Sequence, residues 1–291
     1  MQKTGIEWCD STWNPITGCL NGCSYCYAKK IAERFGSNPC ESSNCLICIG
    51  CTKQEEIGFK CKDYDPITTV HTVEDKVYRF NPKRVVPFPF GFEPTFHKYR
   101  LNEPNQHKKA QRIFVCSMAD LFGPWVPDEW IVSVFDACKK APWHKYMFLT
   151  KFPERYEELA LKGLLPSMDN FWYGQSASSG MVQAFLGPYH QFLSAEPLFE
   201  IVEPCGFELV IIGAETGNRK GKITPDESMI SITSLRSMCH VFMKDSLVPI
   251  IGEDHMLRQM PDCLMCEFEE TTDTMIRMTP AQEHAYKKET L

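Results

Sequence analysis

In the stretch TWNPITGCLNGCSYCYAKK, residues 12–30, three cysteines stand at Cys19, Cys23 and Cys26, in a loop punctuated by Gly18 and Gly22 and with Tyr25 just before the third. Thiolates suit iron–sulfur clusters and zinc, and cysteines at these spacings can wrap a cube of alternating iron and sulfur. A cubane has four irons, so a loop with three thiolates would leave one iron open to a chelating amine and carboxylate. The same residues also read as a zinc site completed by a distant ligand, or as plain buried thiols. Gly18 and Gly22 let the backbone turn tightly, and amides directed at a cluster would tune its potential.

A second group lies in CESSNCLICIGCTKQEEIGFKC, residues 40–61, where Cys45, Cys48 and Cys51 form a C-x2-C-x2-C run and Cys61 is a candidate fourth ligand. Four thiolates satisfy zinc tetrahedrally and equally satisfy a second 4Fe-4S cubane, and the ferredoxin-like run favours iron–sulfur. Cys40 can replace any one ligand. Cys263 and Cys266, a C-x2-C pair further along, can instead complete a two-plus-two zinc site. Either metal would hold its irregular surroundings in place, because site formation and local folding share one free energy. An auxiliary cubane would also relay electrons to the first cluster.

These loops need elements to position them. AKKIAERFG, residues 28–36, has apolar residues at helical spacing, with Gly36 as a candidate C-terminal cap. Residues 36–111 turn irregular and proline-rich, which predicts a long insertion with little regular structure. From residue 113 onward, short β-rich apolar runs alternate with amphipathic stretches. Strands are predicted over 12–18, 112–118, 145–150, 170–176, 190–196, 208–215 and 240–245, and helices over 127–140, 153–162, 179–186 and 226–238. Continuous apolar strands flanked by helices suit a buried parallel sheet. The expected fold class is α/β, a partial or near-complete (β/α) barrel over residues 1–252, with 253–291 as a C-terminal extension. In such a barrel the C-terminal strand ends carry the active site. That places Asp120, Lys151, Gln175, Ser176, Glu196, Glu215, Lys244 and Asp245 above it, on the same face as the three-cysteine loop.

Composition narrows the classes. Apolar residues make up 43% of the 291 and charged residues 23%, ordinary values for a globular chain. No run approaches signal-peptide length or the roughly 18 apolar residues of a spanning helix, so no membrane is expected and the cytoplasm is the expected compartment. In that reducing setting 15 cysteines point to metal or redox chemistry rather than to a disulfide framework. A net charge of −6 opposes non-specific binding to nucleic acid, although 107–112 and 218–222 are locally basic. Trp8, Trp13, Trp125 and Trp172 read as core or rim packing.

The loop C-LNG-C-SY-C, with its aromatic residue before the last cysteine, resembles the signature of the radical S-adenosylmethionine (SAM) superfamily. The resemblance implies a 4Fe-4S cluster on Cys19, Cys23 and Cys26 whose open iron binds SAM and, once reduced, cleaves it to methionine and a 5′-deoxyadenosyl radical that takes hydrogen from a substrate. It also implies an external electron donor of flavodoxin or ferredoxin type. The wider set IEWCDSTWNPITGC, PFGFEPTFHKYRL, FVCSMADLFG, FLTKFPERY, SAEPL, IIGAETGNRKGK and VFMKDSL resembles a phage-associated domain family of unknown function, the phage gene-product thirty-seven/sixty-eight proteins, over most of residues 1–252. By position in such barrels, Ser117, Met118 and Asp120 would meet the SAM amino group, although CSMADLFG departs from the usual Gly-Gly-Glu turn. Gln175 and Ser176 would meet the ribose, and the backbone at Gly213 to Glu215 the adenine.

Lys151, Glu196 and Lys244 are then candidate catalytic residues. A charge in a barrel mouth is costly unless paired or liganded, so structural ion pairs and contacts to a polar substrate are the two explanations. A nucleotide or nucleic-acid base fits the second. The alternative function is a non-catalytic iron–sulfur or zinc protein acting as electron carrier or interaction module. A repair enzyme of the spore-photoproduct-lyase kind is a third reading, opposed by the acidic charge.

Overall fold

The computed structural model describes residues 1–36, 70–76, 78–79, 84–216 and 222–266. Eight strands form the main sheet: β1 (Gln2–Lys3), β2 (Ser11–Trp13), β3 (Arg112–Val115), β4 (Lys145–Thr150), β5 (Phe171–Ser176), β6 (His190–Ala195), β7 (Leu209–Ile212) and β8 (His240–Met243). They lie side by side in chain order. β1 runs antiparallel to β2, and every other neighbouring pair is parallel. Helix α1 (Tyr27–Phe35) follows β2, α2 (Asp128–Lys139) follows β3, α3 (Glu154–Leu161) follows β4 and α4 (Glu227–Ser237) follows β7. No helix among the described residues is long and apolar enough to cross a membrane.

Side chains alternate across the strands and build two different faces. On one, Ile113, Val115, Tyr146, Phe148, Phe171 and Tyr173 pack against Val134, Phe135 and Cys138 of α2 and Tyr156 and Leu159 of α3. Further along the same face, Leu193, Val210, Ile212, Val241 and Met243 meet Ile230 of α4. The opposite face is formed by Phe114, Met147, Trp172, Phe192, Leu209, Ile211 and Phe242, covered by Trp8 from the N-terminal segment and Leu264 from the C-terminal one. The Trp8 ring lies 4.8 Å from Phe114 and 6.0 Å from Phe192. Trp8, Trp13 and Trp172 are buried, as core packing requires, and Trp125 is partly so.

The segment before β2 touches both the neighbouring strand β3 and the far edge of the sheet past β8. Asp10 receives the Arg112 amide at 2.7 Å and its guanidinium at 2.9 Å, beside β3. The Glu7 carboxylate accepts the Asp245 amide at 2.8 Å, just past β8. Arg258 joins Glu7, Asp245 and the Met243 carbonyl.

Three local expectations differ from the structure. The strand expected over 12–18 divides at Asn14–Pro15: β2 stays in the main sheet, while Ile16–Thr17 pairs with Thr95–His97, which also pairs with His71–Val73. Proline brings no N–H to a ladder. The Asn14 side chain instead accepts from Met118 N–H at 2.9 Å and Ser117 Oγ at 3.1 Å. The helix expected over 179–186 is a strand, Gly180–Gln183, paired in parallel with Val202–Cys205. Gly180 has φ +79° and few residues separate it from Gly187, too short a run for a stable helix. The stretch 36–111 contains more regular structure than expected, including His71–Val73 and Thr95–His97, the pair Tyr78–Arg79 with Arg84–Val85 and a short helix at Glu103–Gln106.

Gly174 sits on the inner face, where a Cβ would stand 2.3 Å from the Phe192 ring, itself backed by Trp8. Gly174→Ala is therefore expected to destabilise the chain by about 1–3 kcal/mol through overpacking, read as a lower urea midpoint at unchanged slope. Asp10 supplies a pH signature. Burial raises its pKa, but the Arg112 bonds outweigh this and hold it below the usual 3.8. Its contribution is then fully present above that value and lost as pH falls through the depressed one. Asp10→Asn should flatten the acid limb of the stability profile below about pH 4.

Candidate functional site

The cysteine loop begins where the chain leaves the main sheet. Gly18 N–H donates to the Met118 carbonyl at 2.9 Å and Cys19 N–H to that of Phe92 at 3.0 Å. Gly18 has φ +86°, and a Cβ there would lie 2.2 Å from the Glu93 carbonyl oxygen, so only glycine fits. Cys26 N–H closes a turn on the Cys23 carbonyl at 3.2 Å, and Cys26 then caps α1.

Each of the three sulfurs accepts one N–H. Asn21 N–H reaches Cys19 Sγ at 3.5 Å, Asn21 Nδ2 reaches Cys23 Sγ at 3.3 Å, and Lys29 N–H reaches Cys26 Sγ at 3.4 Å. Donors of this kind favour sulfur carrying negative charge. Burial pushes the Cys19 thiol up to about 12, reinforced by Asp120 and the other two cysteines. Among the described residues, only His190, Glu208 and Cys263 bring three metal-ligating atoms within 4.8 Å of one another.

The C-terminal strand ends meet this loop through Lys151. Its ammonium donates to Tyr25 Oη at 3.1 Å and to Ser176 Oγ at 3.0 Å, and Tyr25 stands edge-on to Phe199 at 5.6 Å. Lys151 therefore joins β4, β5 and the cysteine loop. Asp120 is buried beneath: its carboxylate accepts from Thr150 Oγ1 at 2.7 Å, Lys151 N–H at 3.0 Å and Phe122 N–H at 3.1 Å. Burial pushes its pKa up against these bonds, which favour the charged form.

Glu196 and Lys244 pair with each other at 2.5 Å. Gly213 lies under the pair, where a Cβ would come within 3.1 Å of both side chains. Tyr27 Oη donates to the Ser117 carbonyl at 2.6 Å, and Met118 packs against Ala28 and Ala32 of α1. Glu215 is buried. Gln175 is not brought into this group: it follows Tyr173 on the helix-bearing face, and its amide donates to the Gln183 carbonyl at 3.1 Å. Cys40, Cys45, Cys48, Cys51 and Cys61 lie outside the described residues.

Three functional-site residues were not singled out by sequence reasoning. Asn14 and Asn21 hold the loop and its sulfurs, and Tyr27 anchors α1 to the Ser117 turn. Asn14 had a signal in the Asn-Pro pair, a turn marker. Behind the loop, His97 is buried with Nε2 at 2.9 Å from Thr17 Oγ1, and burial drives its pKa down, keeping the ring neutral.

No curated protein and no solved structure matches the chain. A family model described as "Protein of unknown function (DUF5131)" matches residues 3–245, which run from β1 past the end of β8 and include the cysteine loop and every strand-end residue described above, and the chain belongs to that family.

Proposed function

We propose that the protein is a radical SAM enzyme in which Cys19, Cys23 and Cys26 hold a 4Fe-4S cluster and the adjoining strand ends bind SAM and a polar substrate, a nucleotide or nucleic-acid base being the favoured class. The carrying observation is the loop itself, in which three sulfurs each accept one N–H beside the C-terminal ends of parallel strands. A barrel-like sheet is supported by strands that advance in one direction with α2, α3 and α4 on one face, and by a segment, residues 7–10, that touches β3 and the end of β8.

The cluster and SAM would supply the one-electron chemistry of hydrogen-atom abstraction, with a flavodoxin- or ferredoxin-type protein as electron source. The chain's own residues do the positioning. Lys151 has three donors and spends two on Tyr25 and Ser176, leaving one for a carboxylate or phosphate. Asp120 keeps one of about four lone-pair directions beyond its three bonds, and its main work is to fix the Lys151 backbone. The Glu196–Lys244 pair gives the mouth a matched charge pair that a polar substrate can open.

The test is anaerobic reconstitution followed by dithionite reduction with SAM. Production of 5′-deoxyadenosine is expected from the wild type, and alanine at any of Cys19, Cys23 or Cys26 should abolish it. A triple alanine variant that cleaves SAM at the wild-type rate would sink the reading. A bound cluster without SAM cleavage would establish the electron-carrier or interaction alternative instead.

A second expectation concerns Lys151→Met, which should retain iron and its reduced-cluster spectrum while losing one charge-assisted contact of about 1.5–3 kcal/mol, or roughly tenfold or more in affinity for SAM or substrate. Unchanged KM for both would leave Lys151 with the structural role of holding Tyr25.

A further inference from the structure

A second constellation lies at the other end of the sheet. His190 opens β6, Glu208 immediately precedes β7, and Cys263 lies in the short turn Asp262–Leu264, so all three gather where parallel strands begin rather than where they end. One ligand atom from each lies within 4.8 Å of the other two. The His190 ring is held flat against Trp172, centroids 4.8 Å apart, and its Nδ1 stands 3.0 Å from the Glu208 carboxylate. Bonds of about 2.0–2.1 Å at tetrahedral angles put two such ligands roughly 3.3 Å apart, so this pair already has nearly the separation one zinc imposes.

Cys263 lies within electrostatic reach of Glu208 and of the Lys145 ammonium, and His190 within reach of the same two groups. Next to Cys263, Leu264 is fully buried in the inner-face core. The turn therefore sits at fixed depth, and the Cys263 thiol is held at the sheet's edge.

We propose that His190, Glu208 and Cys263, with a water molecule in the fourth position, bind a zinc ion that clasps the C-terminal segment onto the edge where the strands begin. One imidazole nitrogen, one carboxylate oxygen and one thiolate form a set that favours zinc over the hard cations magnesium and calcium. Binding replaces the thiol proton of Cys263 and the proton shared by His190 and Glu208, both released to solvent. Zinc with one thiolate, one carboxylate and a neutral imidazole carries no net charge. The site uses no residue of the cysteine loop, and Cys263 lies beyond the family match.

The test uses the full chain, first in the Cys19/Cys23/Cys26→Ala background, so that iron at that loop does not intervene. Elemental analysis should find one zinc equivalent more than in the same chain carrying Cys263→Ser or His190→Gln. Cobalt(II) added to the chelator-stripped chain should give tetrahedral absorption with a thiolate charge-transfer band, weakened in both variants. To separate ligand loss from a loosened turn, Glu208→Gln provides a near-isosteric control, expected to weaken zinc at least tenfold in a chelator competition while leaving the far-ultraviolet spectrum unchanged. Equal zinc content across wild type, Cys263→Ser and His190→Gln, or unaltered affinity in Glu208→Gln, overturns the proposal and leaves His190 and Glu208 as a plain ion pair.

Discussion

A parallel sheet whose strands always advance in the same direction receives its helices on one face, and the other face must be covered by something else. Here that constraint falls on two short segments from far apart in the chain, one carrying Trp8 and the other Leu264. Parallel strands bury both faces, so neither segment is optional. Gly174 shows how tightly the inner face is filled, since even a methyl group would collide with Phe192. The same constraint keeps the strand ends free of helices and open to loops.

The cysteine loop exploits that freedom. Its conformation is imposed from below by the Asn14 side chain and the Gly18 approach to Glu93, and from beside by Lys151. Charge management runs through the whole region. Asp120 is surrounded by donors, Lys151 is shared between two hydroxyls, and Glu196 is matched by Lys244. Burying such groups singly would cost several kcal/mol, whereas together they form a preorganised polar rim.

Much of this was legible in the residues. The strands from β4 to β8 announce themselves through continuous apolar runs, and α2 and α3 through periodicity, because packing on both sides leaves few alternatives. The Gly180–Gln183 strand was not legible, since its partner Val202–Cys205 lies beyond a whole intervening strand and local pattern carries no trace of that pairing. Gln175 misled for a related reason: at a strand end, period-2 alternation decides which face a side chain takes, and one position separates it from Ser176 beside Lys151. Gly36 does end α1, but with φ −89° it is chosen for lack of space beside Ala32 rather than for a left-handed turn.

The Glu7 carboxylate that accepts the Asp245 amide joins residues 238 positions apart, and its contact with Arg258 spans 251. On a ribosome adding roughly 5–20 residues per second, Glu7 therefore waits roughly 12–50 seconds for its partners to be made. During that interval the inner face, with Phe114, Met147 and Trp172 already synthesised, lacks its final cover. Such long-range closure predicts slow folding and a window in which the nascent chain exposes aromatic surface, so its yield in a cell should depend on holding chaperones more than its finished stability would suggest.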